Sequence, residues 1–313
     1  MDEMRVATDA TKVLEQVRRV VVGKDRVLLW VMAAMLAKGH ILLEDLPGVG
    51  KTTMAVAFSK SMALTYNRMQ FTPDVLPSDV TGYSILDQGK LVYRPGGVLC
   101  NLFLADELNR ATSRTQSALL EAMEEGQVTV DGVTHKLPDP FIVIATQNPT
   151  GAAGTQLLPD SQLDRFTVRL RMGYPELKDE MAMVEQRQSQ DPMAQLQALT
   201  SAEDLLQLQE IVEKTFVSKD VIRYAVELIA DTRNNQMIRQ GASPRATLAV
   251  VAMAKALAQL RGRDYVTPKD VQEVFLPTVA HRLILSPEAL GRSLTPEQVL
   301  IKVLKSVPAP RLG

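Results

Sequence analysis

A glycine-containing turn that ends in a lysine and two threonines is the first group of residues here with a recognisable chemistry. The turn reads Asp45-Leu46-Pro47-Gly48-Val49-Gly50-Lys51-Thr52-Thr53. Glycines permit backbone conformations that point successive N–H groups at phosphate oxygens, and the N-terminus of a following helix attracts the same anion. Lys51 would reach the β- and γ-phosphates of a nucleotide, and the Thr52 hydroxyl would bind Mg²⁺. The strict phosphate-loop pattern begins with glycine, whereas this sequence has Asp45 there.

Two acidic residues follow an apolar segment further along the chain. Leu102-Phe103-Leu104-Ala105 is apolar and leads into Asp106 and Glu107. At the tip of a strand, Asp106 would hold Mg²⁺ through water, and Glu107 would polarise the attacking water as a general base. Acids also commonly cap the helix that follows a strand, so the pair alone indicates little. Together with the upstream phosphate loop, it predicts a hydrolytic nucleoside triphosphatase.

A third polar candidate, Asn148, follows another apolar segment. The segment ends in Ala145-Thr146-Gln147-Asn148-Pro149. At the tip of a neighbouring strand, the Asn148 amide would hydrogen-bond the γ-phosphate or the attacking water. The alternative is an asparagine that simply forms a turn before proline.

The elements that must position these residues follow from the hydrophobic pattern. Short apolar runs predict parallel strands of an α/β layer at residues 40–44, 102–105, 141–146 and 168–172. Helices are predicted after a cap at Thr8-Asp9, at residues 25–38 and at residues 51–64. Asp87-Gln88-Gly89-Lys90 and Asp131-Gly132 predict the turns of two β-hairpins.

The strand signal ends at Tyr174-Pro175, where the pattern changes. Beyond this turn, helices are predicted at residues 202–214, 220–234, 244–261, 268–275 and 296–306. A boundary here divides the chain into an α/β nucleotide-binding domain, residues 1–175, and a helical lid domain, residues 176–313. Open α/β sheets bind ligands at the carboxyl ends of their parallel strands, so we expect the site there, between the two domains.

The composition narrows the classes of protein that fit. The 313 residues include 35 Lys and Arg against 36 Asp and Glu, so the basic surface of a nucleic-acid-binding protein is not expected. Hydrophobic residues make up 46%, which excludes wholesale disorder. The single cysteine, Cys100, excludes an intramolecular disulfide and a cysteine-rich zinc site. No apolar run approaches the roughly 20 residues of a transmembrane helix, and the N-terminus lacks a signal-peptide pattern, so we expect a cytoplasmic protein.

Taken together, these segments resemble the AAA+ ATPases, and within them the MoxR family. The matching stretches are residues 44–52, 71–82, 105–111, 115–123, 145–149, 162–166 and 241–246. The phosphate loop is common to many families, whereas Phe71-Thr72-Pro73-Asp74-Val75-Leu76-Pro77-Ser78-Asp79-Val80-Thr81-Gly82 is the more specific part. The family accommodates Asp45. The resemblance implies a phosphate-loop AAA+ core of parallel strands, with a helix-2 insert and a pre-sensor hairpin, followed by an all-helical lid.

The resemblance also implies roles for further residues. Asn148 would match the polar sensor beside the γ-phosphate, and Arg165 the arginine finger that reaches a neighbouring subunit's nucleotide. Arg245 would match the second sensor, which closes the lid over the phosphates. For both arginines the alternative is a surface salt bridge. Val22, in Val21-Val22-Gly23, would lie beside the adenine, although core packing explains the valines equally well. Arg110 and Arg114 could also contact nucleotide or a neighbouring subunit.

The resemblance to this family implies that the chain binds ATP and Mg²⁺. It also implies that the chain forms a homo-oligomeric ring, a hexamer. MoxR relatives are thought to be chaperone-like remodellers that act on protein substrates with von Willebrand factor A-domain partners, in complex assembly or metal insertion. Three alternatives stay open: a magnesium-chelatase-like motor subunit, a DNA-translocating motor and a nucleotide-switched binding module that does not hydrolyse. Glu107 and Asn148 argue against the switch, because it has less need of groups that position water.

Overall fold

The structure, a computed structural model, describes residues 4–45, 48–148, 158–189 and 191–311. The strands are β1 (Ile41–Glu44), β2 (Tyr66–Gln70), β3 (Gly82–Asp87), β4 (Lys90–Pro95), β5 (Leu102–Asp106), β6 (Gln127–Val130), β7 (Val133–Lys136), β8 (Ile142–Gln147), β9 (Val168–Leu170), β10 (Ile238–Gln240) and β11 (Ile284–Leu285). The helices are α1 (Arg5–Arg18), α2 (Asp25–Leu36), α3 (Lys51–Ser61), α4 (Pro77–Thr81), α5 (Ser113–Glu125), α6 (Asp160–Leu163), α7 (Leu177–Ser189), α8 (Ala202–Glu213), α9 (Lys219–Asn234), α10 (Pro244–Leu260), α11 (Pro268–Val279), α12 (Pro287–Gly291) and α13 (Pro296–Ser306).

A five-stranded parallel sheet carries the phosphate-loop strand. Its strand order is β2-β5-β8-β1-β9, and every pairing is parallel. The four apolar runs of the sequence are confirmed as β1, β5, β8 and β9. The edge strand β2 was not predicted, because its residues are exposed or half-buried and its sequence, Tyr-Asn-Arg-Met-Gln, contains no apolar run. This order brings the carboxyl ends of β1, β5 and β8 side by side.

Alternate residues of the central strands enter opposite hydrophobic cores. On β5, Leu102 and Leu104 belong to one core, whereas Phe103 and Ala105 belong to the other. The first core continues through α1, α2 and α3 into the lid helices, where it includes Tyr224. The second core packs the opposite face against α4 and α5. The sheet is therefore buried on both faces, as continuous apolar strands predict.

Both predicted hairpins are present, as β3–β4 and β6–β7. In the turn of the second hairpin, Asp131 and Gly132 have φ values of 50° and 77°, which matches the twist of the flanking strands. The rings of Tyr93 on β4 and His135 on β7 stack with their centroids 3.7 Å apart. The two hairpins therefore contact each other on the same side of the molecule.

The remaining part of the chain is mainly helical, and α8, α9, α10, α11 and α13 confirm the predicted helices. α11 extends beyond its predicted end, through Pro277 to Val279. The helices α7 and α12 and the antiparallel pair β10–β11 were not predicted. The strands of that pair are too short to show an alternating pattern in the sequence.

Helix α1 begins earlier than the capping signal at Thr8-Asp9 predicted. It starts at Arg5, and Val6 in its first turn is fully buried in the first core. The Arg5 guanidinium lies 3.1 Å from the Asp204 carboxylate of α8. Tertiary packing therefore extends the helix beyond the local cap, because burial outweighs a weak local preference.

The two predicted domains pack against each other. Helices α1 and α2 contact α8 and α10, and their apolar residues join one hydrophobic core. The boundary at residue 175 stays a prediction. In the described parts of the chain, no helix has the length and apolar character needed to cross a bilayer.

Candidate functional site

A cavity of about 340 Å³ lies where β1, β5 and β8 end. It is lined by Gly48, Gly50, Lys51, Thr52, Thr53, Arg68, Gln70, Asp106, Glu107 and Asn148. The structure thus brings together the phosphate loop, the two acids after β5 and the asparagine after β8, as the sequence predicted. Arg68 and Gln70, on the unpredicted strand β2, complete the lining. We refer to this space as the phosphate cavity.

The glycines of the loop adopt conformations that side chains disfavour. Gly48 and Gly50 have φ values of 86° and 95°. Gly50 is the N-cap of α3, so the free N–H groups of the first helical turn lie beside the phosphate cavity. Val49 is half-buried and packs against the first core, which anchors the loop. Two other predicted loop residues, Leu46 and Pro47, lie outside the described residues.

Lys51, the first residue of α3, is buried at the cavity wall. Its Nζ atom donates a hydrogen bond of 2.8 Å to the backbone carbonyl of Asp45. Burial lowers the pKa of Lys51, and the nearby carboxylates of Asp106, Asp45 and Glu107 partly oppose this effect. The ammonium is thus held inside the loop, near the carboxylates of these three acidic residues.

Asp45 has a structural role that explains its departure from the usual glycine. Its carboxylate accepts hydrogen bonds from the backbone N–H groups of Met172 and Gly173, the latter at 3.1 Å. Its own N–H donates to the carbonyl of Gln147 at 3.2 Å. The side chain therefore ties the start of the phosphate loop to the segment after β9, and this tie requires an acceptor that glycine lacks.

Asp106 lies between a hydroxyl and a guanidinium. The Thr146 hydroxyl, on β8, donates to Asp106 Oδ1 at 2.6 Å. Arg68 Nη2, on β2, donates to Asp106 Oδ2 at 2.7 Å. Both contacts hold the carboxylate in place, and carboxylate oxygens are ligands that Mg²⁺ prefers.

Glu107 is held by donors on both carboxylate oxygens. Asn148 Nδ2 donates to Oε1 at 3.1 Å, and Arg110 Nη1 donates to Oε2 at 2.8 Å. The Glu107 backbone is left-handed, with φ 55°, and its N–H donates to the Thr146 hydroxyl at 2.8 Å. This strained turn directs the residue after β5 into the cavity lining instead of continuing the strand. Arg110 therefore contacts a residue that lines the phosphate cavity of its own chain, whereas Arg114 is exposed at the start of α5.

A second cavity, of about 450 Å³, adjoins the first through Thr53. It is lined by Val20, Thr53, Met183, Gln186, Asp191, Pro192 and Met193. Val20 precedes the predicted adenine segment, while Val22 itself is half-buried in the turn between α1 and α2. Lys24 Nζ donates to the Tyr174 carbonyl at 2.8 Å and so fixes this turn beside the segment that leads to α7. A partly apolar space next to a phosphate site suits a nucleotide base.

Arg165 and Arg245 lie together, but not among the described residues that line the phosphate cavity. Arg165 Nη2 is 3.3 Å from Glu124 Oε2, and Arg245 Nη2 is 2.5 Å from Glu124 Oε1. The three side chains line a small cavity of about 160 Å³ with His40 and Met123. Two guanidinium groups face one carboxylate, so the cluster keeps excess positive charge. Arg245 thus lies beside Arg165 rather than over the phosphate loop of its own chain.

Several residues at the site have no strong signal in the sequence. Thr146 lies inside an apolar strand, where a threonine is commonplace. Arg68 lies on a strand that the apolar pattern missed, and Glu124 lies near the end of an amphipathic helix among other acids. Only their three-dimensional contacts distinguish these residues from ordinary polar ones.

Comparison with known proteins agrees with this geometry. The model of the "ATPase family associated with various cellular activities (AAA)" matches residues 40–168, and that of the "AAA lid domain" matches residues 230–302. "Uncharacterized protein YeaC" of Bacillus subtilis is 45% identical to this chain, over 96% of this chain and 94% of that protein. "Chaperone MoxR1" of Mycobacterium tuberculosis is 40% identical, over 95% of this chain and 81% of that protein.

A solved structure has the same fold over nearly the whole chain. The crystal structure of a candidate ATPase from Cytophaga hutchinsonii superposes with a TM-score of 0.92 at 35% identity, covering 99% of this chain and 97% of that one. The matches extend across both the sheet and the helical lid. The chain belongs to the MoxR family of AAA+ ATPases.

Proposed function

We propose that this chain binds ATP with Mg²⁺ and hydrolyses the bond between the β- and γ-phosphates. The observation that carries the proposal is the meeting of Lys51, Asp106 and Glu107 in one cavity at the ends of parallel strands. Phosphoryl transfer requires mainly positioning and charge stabilisation, which a cation and two distinct carboxylates provide. Membership of an ATPase family supports the same activity.

The phosphates would bind against the loop after β1, with the base in the adjoining cavity that shares Thr53. Lys51 would exchange the Asp45 carbonyl for phosphate oxygens, which satisfy its ammonium better because they are charged. Gly48 and Gly50 have no Cβ atom and have φ values of 86° and 95°, so phosphate oxygens would be able to approach the backbone N–H groups of the loop closely.

The oxygen ligands of the cavity fit Mg²⁺. The Thr52 hydroxyl and the Asp106 carboxylate both line it, and such hard oxygen donors are the protein ligands that Mg²⁺ prefers. When bound, the ion would neutralise negative charge on the phosphates. Thr146 holds one Asp106 oxygen in place, while Arg68 would share the other.

Glu107 would accept a proton from the attacking water, and Asn148 would orient the water and the carboxylate. Their contact at 3.1 Å supports a shared task, because a fixed donor on one carboxylate oxygen holds the base in a defined orientation. Glu107 also lies in the wall of the same cavity as Lys51. Their common cavity supports a role in which the base would face a γ-phosphate bound on the loop.

Arg165 and Arg245 would act on the nucleotide of a neighbouring subunit in a homo-oligomeric ring, which we expect to be a hexamer. Both guanidinium groups lie apart from the phosphate cavity of their own chain, and each is partly exposed. The excess positive charge of the cluster suits a second chain's phosphates. An arginine supplied in trans is a recurring device of nucleoside triphosphatases.

Hydrolysis would drive chaperone-like remodelling, assembly or metal insertion of a protein substrate, together with a von Willebrand factor A-domain partner. The name of the related "Chaperone MoxR1" supports the chaperone-like part. Affinity purification of Glu107→Gln in the presence of ATP tests the partner, since a non-hydrolysing variant would retain bound proteins. The matched bait is Lys51→Ala. Recovery of an A-domain protein with the first bait only supports the proposal, and recovery of nucleic acid alone contradicts it.

Phosphate release from ATP by the purified full-length chain tests the activity itself. We expect Mg²⁺-dependent turnover that Lys51→Ala abolishes by weakening ATP binding, as measured by calorimetry. Lys60→Ala, at an exposed position of the same helix, is the matched control and should leave both quantities unchanged. Undiminished ATP affinity in Lys51→Ala would contradict the phosphate-loop assignment, and turnover that requires DNA would favour a DNA motor.

A further inference from the structure

The short segment that contains Arg165 is held by a buried arginine of the lid. Arg282 follows α11, and its side chain is only 2% exposed. Its Nη1 atom donates to the Asp164 carbonyl at 3.0 Å and to Asp164 Oδ1 at 2.5 Å. Its Nη2 atom donates to the Phe166 carbonyl at 2.8 Å. One guanidinium therefore binds the backbone on both sides of Arg165.

Two other lid residues hold the same segment. The Ser243 hydroxyl, at the N-cap of α10, donates to Asp164 Oδ2 at 3.1 Å. The His281 Nε2 atom lies 2.9 Å from the Phe166 carbonyl and donates to it. Burial lowers the pKa of His281 well below its ordinary value, so the ring is neutral near pH 7 and Nε2 carries its proton. The contacts come from two separate lid elements.

All three guanidinium nitrogens of Arg282 donate hydrogen bonds, so its contact with the Arg165 segment has a defined geometry. Its remaining nitrogen, Nε, donates to the Thr278 carbonyl at 2.9 Å within the lid. Burial lowers the pKa of Arg282, and the adjacent Asp164 carboxylate opposes that effect. A guanidinium stays charged in a protein even so. A buried guanidinium with every nitrogen bonded has one geometry, because any displacement leaves charged donors without acceptors.

The ties of the segment to the sheet are fewer. Phe166 is fully buried in the second core, and the Thr167 N–H donates to the His40 carbonyl at 2.8 Å, just before β9 begins. Arg165 itself contacts Glu124, which also binds Arg245 of the lid. The segment therefore lies at a junction where lid contacts surround Arg165 on both sides.

We propose that Arg282 is a positioning residue for Arg165 and couples the lid of one subunit to the nucleotide of the next. The inference rests on the proposed function of Arg165 in trans. A shift of the lid, such as nucleotide binding between lid and sheet would bring about, moves Arg282 and with it the backbone around Arg165. Each subunit's own nucleotide state thereby sets whether its arginine is in place for its neighbour.

Arg282→Lys tests the coupling, because lysine keeps the positive charge but loses the planar set of donors that spans two carbonyls. We expect ATP affinity to stay near wild type and turnover to fall about 100-fold. A displacement of about 1 Å in the position of a catalytic group can cause a loss of this size. Arg292→Lys, an exposed lid arginine that pairs with Glu288, is the matched control and should keep wild-type turnover.

Mixed oligomers separate an effect on the neighbour from an effect within the subunit. Arg282→Lys is co-expressed with an excess of Glu107→Gln, and oligomers that carry both tags are purified. Glu107→Gln subunits have intact arginines, so turnover per Arg282→Lys subunit should rise at least tenfold over that variant alone. Arg165→Ala mixed in the same way is the reference and should be restored likewise.

The results of the mixing experiment distinguish the positioning role of Arg282 from the role of Arg165 in trans. Restoration of Arg165→Ala without restoration of Arg282→Lys overturns the positioning role and leaves the trans role standing. Failure to restore Arg165→Ala overturns the trans role, and the coupling with it. Wild-type turnover of Arg282→Lys alone overturns the coupling directly. If Arg282→Lys does not fold, Ser243→Ala, which removes one contact to Asp164, goes through the same mixing experiment and should show a smaller loss that mixing restores.

Discussion

The Nδ2 atom of Asn148 donates a hydrogen bond of 3.1 Å to Oε1 of Glu107. These residues end up in contact because β5 and β8 are adjacent and parallel, so their carboxyl ends lie at the same edge of the sheet. Arg110 binds the other carboxylate oxygen at 2.8 Å. Glu107 is therefore held in one orientation by a neutral donor and a charged one, which is the preorganisation that a general base needs.

Replacing Asn148 with Ala should lower ATP turnover about 100-fold with ATP affinity changed less than about threefold. The amide is expected to act on the water and the Glu107 carboxylate rather than on the resting nucleotide, and loss of one preorganised donor typically has an effect of this size. Steady-state phosphate release and equilibrium nucleotide binding check the two parts. Parallel losses of affinity and turnover would instead make Asn148 a nucleotide-binding residue.

Replacing Arg68 with Gln should lower the Mg²⁺ concentration needed for half-maximal turnover by about threefold. Arg68 Nη2 lies 2.7 Å from Asp106 Oδ2, so the guanidinium and a metal ion compete for one carboxylate. Arg68 is nearly half exposed, and a partly solvated ion pair is worth only about 1 kcal/mol. Arg68→Lys retains the charge and should stay near wild type. A higher Mg²⁺ requirement in Arg68→Gln would show that Arg68 assists the metal site instead of competing with it.

His40 should make the folded protein less stable as the pH falls from about 6.5 to about 4. Burial lowers the pKa of His40 from 6.5 to about 4, partly opposed by the hydrogen bond to the Met123 carbonyl. In this pH window the unfolded chain binds a proton that the folded chain does not, so the free energy of unfolding decreases as the pH decreases. Between pH 7 and pH 5 the loss should be about 2 kcal/mol.

Urea unfolding of wild type and His40→Gln at pH 7 and pH 5 measures this effect. Glutamine can retain a donor towards Met123 and an acceptor towards the Val143 N–H, the two groups that His40 contacts. His281 is also buried with a lowered pKa and acts in the same direction, so the difference between the two proteins is the relevant quantity. Equal pH dependence in both proteins would remove His40 as a cause.

Much of the phosphate cavity could be predicted from the sequence, because its residues follow apolar strands directly. Lys51, Asp106 and Asn148 each come within a few residues of a strand end, and the parallel sheet then brings them together. The same reasoning missed Arg68, since an edge strand with little burial has no apolar run. It also could not foresee the role of Asp45, whose carboxylate partners lie on the segment after β9.

The arginine cluster shows where local patterns carry too little information. Arg165 and Arg245 are far apart in the sequence and meet only on Glu124. Arg282 and Asp164 likewise come together through packing of the lid against the sheet. Such long-range ion pairs leave no periodic signal, because each partner alone reads as an ordinary charged residue. Their arrangement depends on how lid and sheet are packed, which the sequence motifs do not specify.

The central claim is that Glu107 activates water for ATP hydrolysis, and Glu107→Gln tests it most directly. ATP binding and phosphate release are measured on the same preparations of wild type, Glu107→Gln and the control Glu125→Gln, which changes the same charge at the exposed end of α5. We predict that all three bind ATP equally and that turnover of Glu107→Gln alone falls at least about 100-fold. Wild-type turnover in Glu107→Gln would contradict the account.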